Sequence, residues 1–591
     1  MRHLYIDKFI LSVAIVFAGC TQPPIYSTEY NLDFEYTKND SVPTKWTLRN
    51  FSFTGYDLAL DRQIKRHGRM SLRAQWKEQP ATVASWGGFQ NFLPGELVAG
   101  KELEISGWVK TKDSVNICAG YGIFAYVPGK TPMDFLSGID TIGGIRGTSD
   151  WIRYTTRQKI DDDASCALIA GFISGKGTAW FDDMEIRIDG RKYDDREIPL
   201  ISELSDADKR ELHRYVYPLR TCESDGGDTQ DLDILRQLVG ECRVVGLGED
   251  THGTSEIYKL KNRMIRYLAE NEGFDTFALE ANMPESYRMN DYTVGGEGDP
   301  KRLIQGMYVW PWWTEEMLSL AEWMKDYNAS KPKIVFTGVD MQMYPTLMKN
   351  LQLRLAGCPG ARRTAATIAG ELQRICPKPY EVDPQLAEKL DRDLRRLAAD
   401  REIASLPEEE RAWALQYIDM LRQYLSQRYD WDWRDRGMAE NMAWIMNRRP
   451  TSKAVLWAHN QHINLREGAV KLIRPMGFYL KEHFGDGYCS VGFVCCEGTY
   501  TAWKNGLRAF DLPVPASGTL EYVLGQLDEP LFILDLKKMR ENNSPVSLWI
   551  DDLEFREIGA TPEIFYQAGV SETFDYLIFI RKTSASHILK F

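Results

Sequence analysis

At 591 residues, with 43% hydrophobic and 12% aromatic side chains, the chain exceeds one ordinary domain of roughly 100–200 residues and carries apolar material for several packed cores. Its balance is acidic, 72 Lys and Arg against 84 Asp and Glu for a net charge of -12. Nucleic acid is therefore excluded as a partner, since phosphate binding needs clustered Lys and Arg that this sequence does not offer.

In chain order, the first element is a basic start at Arg2 and Lys8, an apolar run from Phe9 to Ala18, and the small residues Ala18 and Gly19 before Cys20. That run is too short to span a bilayer as a mature helix. The stretch resembles a bacterial lipoprotein signal, which implies removal of residues 1–19, lipidation of Cys20 and a short tether over 20–30. Phe17 departs from the usual aliphatic residue. With no aspartate after Cys20, the resemblance implies an exported protein held at the outer membrane through its lipid. The ten cysteines leave an odd number beyond Cys20 and show no CxxC spacing, so neither a disulfide framework nor a zinc ribbon is written. Most are expected as buried apolar residues; Cys358 and Cys376 could pair in an oxidising compartment, which spacing alone does not show.

From residue 31 to 190 the sequence reads as short alternating strands punctuated by Gly, Pro and Asn, among them LEISGWVKT (Leu103 to Thr111) and AWFDDMEIRI (Ala179 to Ile188). The expectation is an all-β sandwich. GWVKT and WFDDMEI resemble the jelly-roll domains related to carbohydrate-binding modules, which implies glycan binding through aromatics such as Trp86 and Trp108; core packing is the alternative use of such rings. A charged connector, RKYDDREIP, marks a linker over 191–204. Beyond it, apolar runs end at Glu249, Glu280, Asp340, His459, Val494 and Leu536, separated by helical patterns. This predicts an α/β domain over 205–591 with a parallel or mixed sheet covered on both faces. From about 354 to 449 the pattern is helical and charged, an insertion or lid over the sheet.

Glu249, Glu280, Asp340 and His459 all fall at or just past the C-terminal end of a predicted strand, the edge where α/β sheets bind ligands. An acid there can also cap the following helix, and for Asp340 both readings stand. Glu280, inside an apolar run, favours a functional role because a buried carboxylate needs a partner. Of eight histidines, three lie in Glu249-x-x-His252 and His459-x-x-His462. The spacing places each pair on one side of a first helical turn, where carboxylates can fix a histidine's tautomer for general-base work.

GLGEDTHGTSE (Gly246 to Glu256), FALEANMPES (Phe277 to Ser286) and WAHNQHI (Trp457 to Ile463), with NDYTVGG, WWTEEM, GVDMQ and RDRGMAEN in order, resemble the signatures of the erythromycin esterase family over roughly residues 205–585. The resemblance implies an ester or lactone hydrolase. His252 is then the general base, Glu249 and Glu280 orient it and the water, and His459 and His462 line the cleft, with Arg434, Asp340 and Trp312 contacting substrate. Asp250 replaces a small residue of the family pattern, and Ser255 and Lys261 stand where macrolide-cleaving members tend to carry His and Arg, so the hydrolytic core is kept while the pocket differs. No cofactor is expected. A divalent metal held by Glu249, His252, Glu280, His459 and His462 is the chemical alternative, and a surface protein that binds glycan or ligand without turnover is the other. A serine nucleophile is disfavoured by the lack of any G-x-S-x-G elbow. Trp310, Trp312, Trp313, Trp431 and Trp433 suggest a large, partly apolar ligand between insertion and sheet, or simply core packing.

Overall fold

The computed structural model describes residues 25–39, 42–50, 55–77, 86–128, 143–224, 228–331, 333–375, 384–426, 432–468 and 473–591; the signal, Cys20, Cys376 and Trp431 lie outside them. The first domain is the expected β-sandwich. Two long strands, Glu102–Tyr126 and Cys166–Ile188, pair antiparallel along nearly their whole length with register shifts near their middles. One half of the Cys166–Ile188 strand takes Trp86–Pro94 as a further neighbour and the other half takes Ser71–Trp76. The bent ladder therefore closes over a single core that includes Leu72, Phe89, Ile105, Tyr121, Ile169 and Phe181. Trp86 packs at 5.3 Å on Phe172, and Trp108 is half-buried beneath the Arg66 guanidinium at 4.6 Å.

The stretches expected as tether and linker are partly ordered. Ile25–Thr28 and Glu197–Leu200 form a two-stranded antiparallel ribbon. Each segment alone lacks a core-facing pattern; mutual backbone pairing supplies what local sequence does not.

The second domain carries a mixed sheet whose site-bearing strands are β1 (Val244–Leu247), β2 (Phe274–Asn282), β3 (Val335–Asp340), β4 (Lys453–Trp457), β5 (Tyr488–Trp503) and β6 (Tyr576–Thr583). They run parallel in the order β6-β5-β1-β4-β2-β3, and Leu531–Asp535 and Val216–Pro218 extend the β6 edge antiparallel. Successive residues face opposite layers, as pleating requires. Ala454 and Leu456 of β4 join the core under the helical insertion, while Val455 and Trp457 join the opposite one. Both faces are covered, which is why these strands read as unbroken apolar runs.

The insertion is helical as expected, with Pro359–Ile375, Pro384–Ala398 and Glu408–Ser426 packed over one face. The cysteines behave differently from their spacing. Cys358 is free and its thiol lies 3.6 Å from the Glu402 carbonyl, whereas Cys242 and Cys489 form a disulfide. The parallel pairing of β1 with β5 brings these two together across 247 residues, a proximity no spacing rule contains. Among the described residues, no helix is long and apolar enough to cross a membrane.

Candidate active site

The four strands β1, β4, β2 and β3 are adjacent, and their register aligns Leu247 with Trp457, Trp457 with Leu279, and Leu279 with Gly338. Chain segments just beyond this line deliver Glu249, His459, Glu280 and Asp340 to one edge. Two glycines of the first motif leave room for neighbouring segments to close on it there. A Cβ on Gly248 would sit 2.1 Å from Asn460 Oδ1, and one on Gly253 would sit 2.1 Å from the Thr501 carbonyl oxygen.

His252 lies in the turn before helix α1 (Ser255–Asn271) rather than in a first helical turn. Its Nδ1–H donates to Glu249 Oε1 at 2.7 Å, and an acceptor-only carboxylate fixes that tautomer, leaving Nε2 with its lone pair. The other Glu249 oxygen accepts from Lys261 Nζ at 2.7 Å and from the Trp457 indole at 2.6 Å. Burial works against the Glu249 carboxylate, but Lys261 and then His252 hold its pKa below the usual value. Burial pulls Lys261 down to about 8, with Glu249 opposing the fall. The Tyr258 hydroxyl donates to the His252 carbonyl at 2.6 Å and pins the loop to α1.

A second cluster faces the first. Glu280 accepts from Arg434 Nη2 at 2.7 Å and from the His459 backbone N–H at 2.9 Å, and its Oε1 is 3.2 Å from His462 Nε2. Arg434, from helix α3 (Trp433–Arg448), also donates Nε and Nη2 to Asp340 Oδ2 at 3.1 and 2.8 Å. Asp340 thus serves Arg434, and the helix after it begins only at Tyr344 with Met343 as its cap. Burial opposes the Glu280 charge, yet His462 and Arg434 hold its pKa well below the usual range. Against its own burial, His462 is pushed up to about 10 by Asp435, 2.7 Å from its Nδ1, and by Glu280.

The two histidines of His459-x-x-His462 part company. His459 caps the short helix Asn460–Ile463, its Nδ1 accepting from Gln461 N while Nε2 donates to the Ile558 carbonyl at 3.1 Å. Burial and the nearby His252, whose ring centroid is 4.7 Å away, drive its pKa to about 3. His459 is therefore a neutral imidazole with both nitrogens committed.

His252, Glu280, Asp340, Arg434 and Trp312 line a cleft of about 500 Å³. Trp310 and Trp313 line it too, but Trp433 faces a separate cavity inside the helical insertion, because consecutive helical residues point about 100° apart. Asp250 points away, buried against the backbone and thiol of Cys495, and burial raises its pKa to about 7. Ser255 is also outside the cleft, donating to Glu316 at 2.6 Å. Sequence reasoning noted Lys261 only as a departure from a pattern and missed Asp435; the cue for Asp435 was its place beside Arg434 in RDRGMAEN.

The metal alternative does not fit this donor set. Among the described residues no group of three or more His, Cys, Asp or Glu is arranged to hold an ion. Lys261 and Arg434 already occupy carboxylate oxygens that a cation would need, and His459 has no free nitrogen.

The erythromycin esterase family model matches residues 269–583, more than half of the chain. This chain belongs to the erythromycin esterase family. It is 25% identical to erythromycin esterase type II of Escherichia coli over 61% of its own length and 94% of that protein's. It is 26% identical to YbfO of Bacillus subtilis (strain 168), named as a hydrolase, over 57% of this chain and 83% of YbfO. Among solved structures, a succinoglycan biosynthesis protein superposes with TM-score 0.55 at 26% identity, covering 64% of this chain and 98% of that one. A mutant of erythromycin esterase EreC in its open conformation gives TM-score 0.51 at 17% identity over 64% of this chain and 100% of that one, a likeness of fold. The family member described here is thus an esterase-like hydrolase built behind a β-sandwich.

Proposed function

We propose that this protein cleaves a carboxylic ester or lactone with water deprotonated by His252, without a covalent intermediate or a metal. The observation that carries this reading is the Glu249–His252 pair at 2.7 Å, backed by Lys261 and opening on the cleft. Nε2 takes a proton as the water oxygen attacks the carbonyl carbon. The same proton then passes to the leaving oxygen as the C–O bond breaks, giving acid and alcohol. Four carboxyl groups (Glu249, Glu280, Asp340, Asp435) face three basic side chains (Lys261, Arg434, His462) in this cluster, so the charge His252 acquires is the one the cluster favours. Arg434, held by Asp340 and Glu280 on the cleft wall, is oriented to stabilise the oxyanion. His459 acts as a positioning residue.

Hydrolysis of aryl esters, lactones and a 14-membered macrolide by wild type and His252→Ala, each with and without chelator, tests the reading. Turnover that survives chelator and vanishes in the variant is expected. Turnover lost in chelator and restored by zinc or manganese would replace it with the metal alternative; a ligand bound but never cleaved would favour a binding protein. Macrolide cleavage is the narrower outcome, because Ser255 and Lys261 depart from the macrolide-cleaving pattern. Export and lipidation at Cys20 complete the proposal, supported by the signal-like start and by a Cys242–Cys489 disulfide that suits an oxidising compartment. Glycan binding by the sandwich is the corresponding proposal for the first domain.

A further inference from the structure

The mouth of the cleft exposes apolar side chains that the fold has no reason to expose. Tyr308 is 55% exposed, Trp503 49% and Val309 39%, and all three line the cleft. Tyr308 also stands at φ 64°, in the left-handed region that a bulky L residue rarely enters. Strain that holds an aromatic ring out in water stabilises nothing in the free molecule; such outliers gather where a ligand is gripped.

Two remote segments supply these rings. Tyr308 precedes the Trp310–Trp312 turn, and its N–H donates to the Gln305 carbonyl at 3.2 Å. Trp503 ends β5, with its N–H on the Ala560 carbonyl at 2.9 Å, and Ala560 itself lines the cleft. The polarity of the lining is graded. The reacting groups are the less exposed ones, His252 at 13%, Glu280 at 6% and Arg434 at 24% of side-chain surface, while the other exposed lining residues, Val309 and Ala560, have no hydrogen-bonding side chain. Two aromatic rings at this mouth offer flat apolar faces against which a planar aromatic group stacks.

We infer that Tyr308 and Trp503 are specificity-determining residues that hold a planar aromatic group, so that the substrate is an aromatic ester with its carbonyl directed to His252. This rests on the proposed ester hydrolysis. The test compares 2-naphthyl acetate with ethyl acetate for wild type, Tyr308→Gly and Trp503→Ala, and measures 2-naphthol binding to each protein by calorimetry. Each substitution is expected to lower the preference for the naphthyl ester about three- to tenfold, carried by KM, with 2-naphthol affinity falling in proportion. Glycine accepts φ 64° without strain, so Tyr308→Gly should melt no lower than wild type while still losing the preference; a merely structural tyrosine would show the reverse. Unchanged KM and 2-naphthol affinity in both variants would overturn the inference, as would wild-type preference for xylose tetraacetate over 2-naphthyl acetate. If wild type cleaves none of these esters, the hydrolytic reading fails, and 2-naphthol binding still decides the role of the two rings.

Discussion

Lys261 has no exposed side-chain surface and stands 2.7 Å from Glu249, with the Trp457 ring 4.5 Å from its ammonium. Burial brings its pKa from the ordinary 10.5 to about 8. Between those values the folded chain has released a proton that the unfolded chain keeps, so this group by itself makes folding more favourable as pH rises across that window. Loss of this proton does not itself unfold the chain, so denaturant titration at each pH separates a change at the site from unfolding. Without the ammonium charge, Glu249 holds the His252 imidazolium too tightly for it to return its proton to the leaving oxygen. The pH profile of kcat/KM should therefore fall above about pH 8, and Lys261→Arg should move that fall upward because guanidinium stays charged. Lys261→Met leaves a buried carboxylate without its cation and should destabilise the fold by about 3–5 kcal/mol. Rate profiles alongside denaturant titrations check both; a fall near pH 8 that persists in Lys261→Arg would assign it to another group. In the sequence Lys261 stands out only as a departure from the macrolide-cleaving pattern, and nothing local says that its partner is 12 residues back and wholly buried.

The segment Ser584–Phe591 shows the same limit at the scale of an element. It has no periodicity, yet it staples the His252 loop to the aromatic wall. Ser255 N donates to the Ser584 carbonyl, Ser586 N to Gly253, Glu315 N to His587 and Leu589 N to Trp313, each at 2.8–2.9 Å. Glu316, in helix α2 (Glu315–Ser330), receives Ser255 Oγ at 2.6 Å and His587 Nδ1 at 2.8 Å. The strands, by contrast, were legible because a sheet buried on both faces writes itself as continuous apolar runs, and Glu249, Glu280, Asp340 and His459 were legible from their place at the ends of those runs. The Glu249–His252 contact was foreseen with the wrong local geometry, since the pair closes in a turn and not on a helix. Deleting 584–591 should lower kcat roughly ten- to a hundredfold through misplacement of His252. KM for a small ester should change far less, and circular dichroism should show whether the sheet survives. Equal losses in kcat and folded fraction would reduce the staple to a stability element.

For the whole molecule, the ribbon of Ile25–Thr28 with Glu197–Leu200 joins the proposed anchor to the linker between sandwich and hydrolytic domain. Only residues 21–24 separate Cys20 from this ribbon, a span of at most about 18 Å for an extended chain between the two. Lipidation would thus hold the junction close to the bilayer and leave the two domains to project from it. Catalysis draws on none of this, because every residue of the cluster comes from Glu249 onward and is fixed by contacts within its own domain. Cys20→Ala should therefore move the protein from the membrane fraction to the soluble one and abolish palmitate labelling, with kcat/KM on a soluble ester within about twofold of wild type, as expected for a change remote from the site. Palmitate labelling that persists in Cys20→Ala would refute the anchor. A released protein that has lost activity would instead mean that the membrane orders the site, and the independence of the two ends of the chain would be wrong.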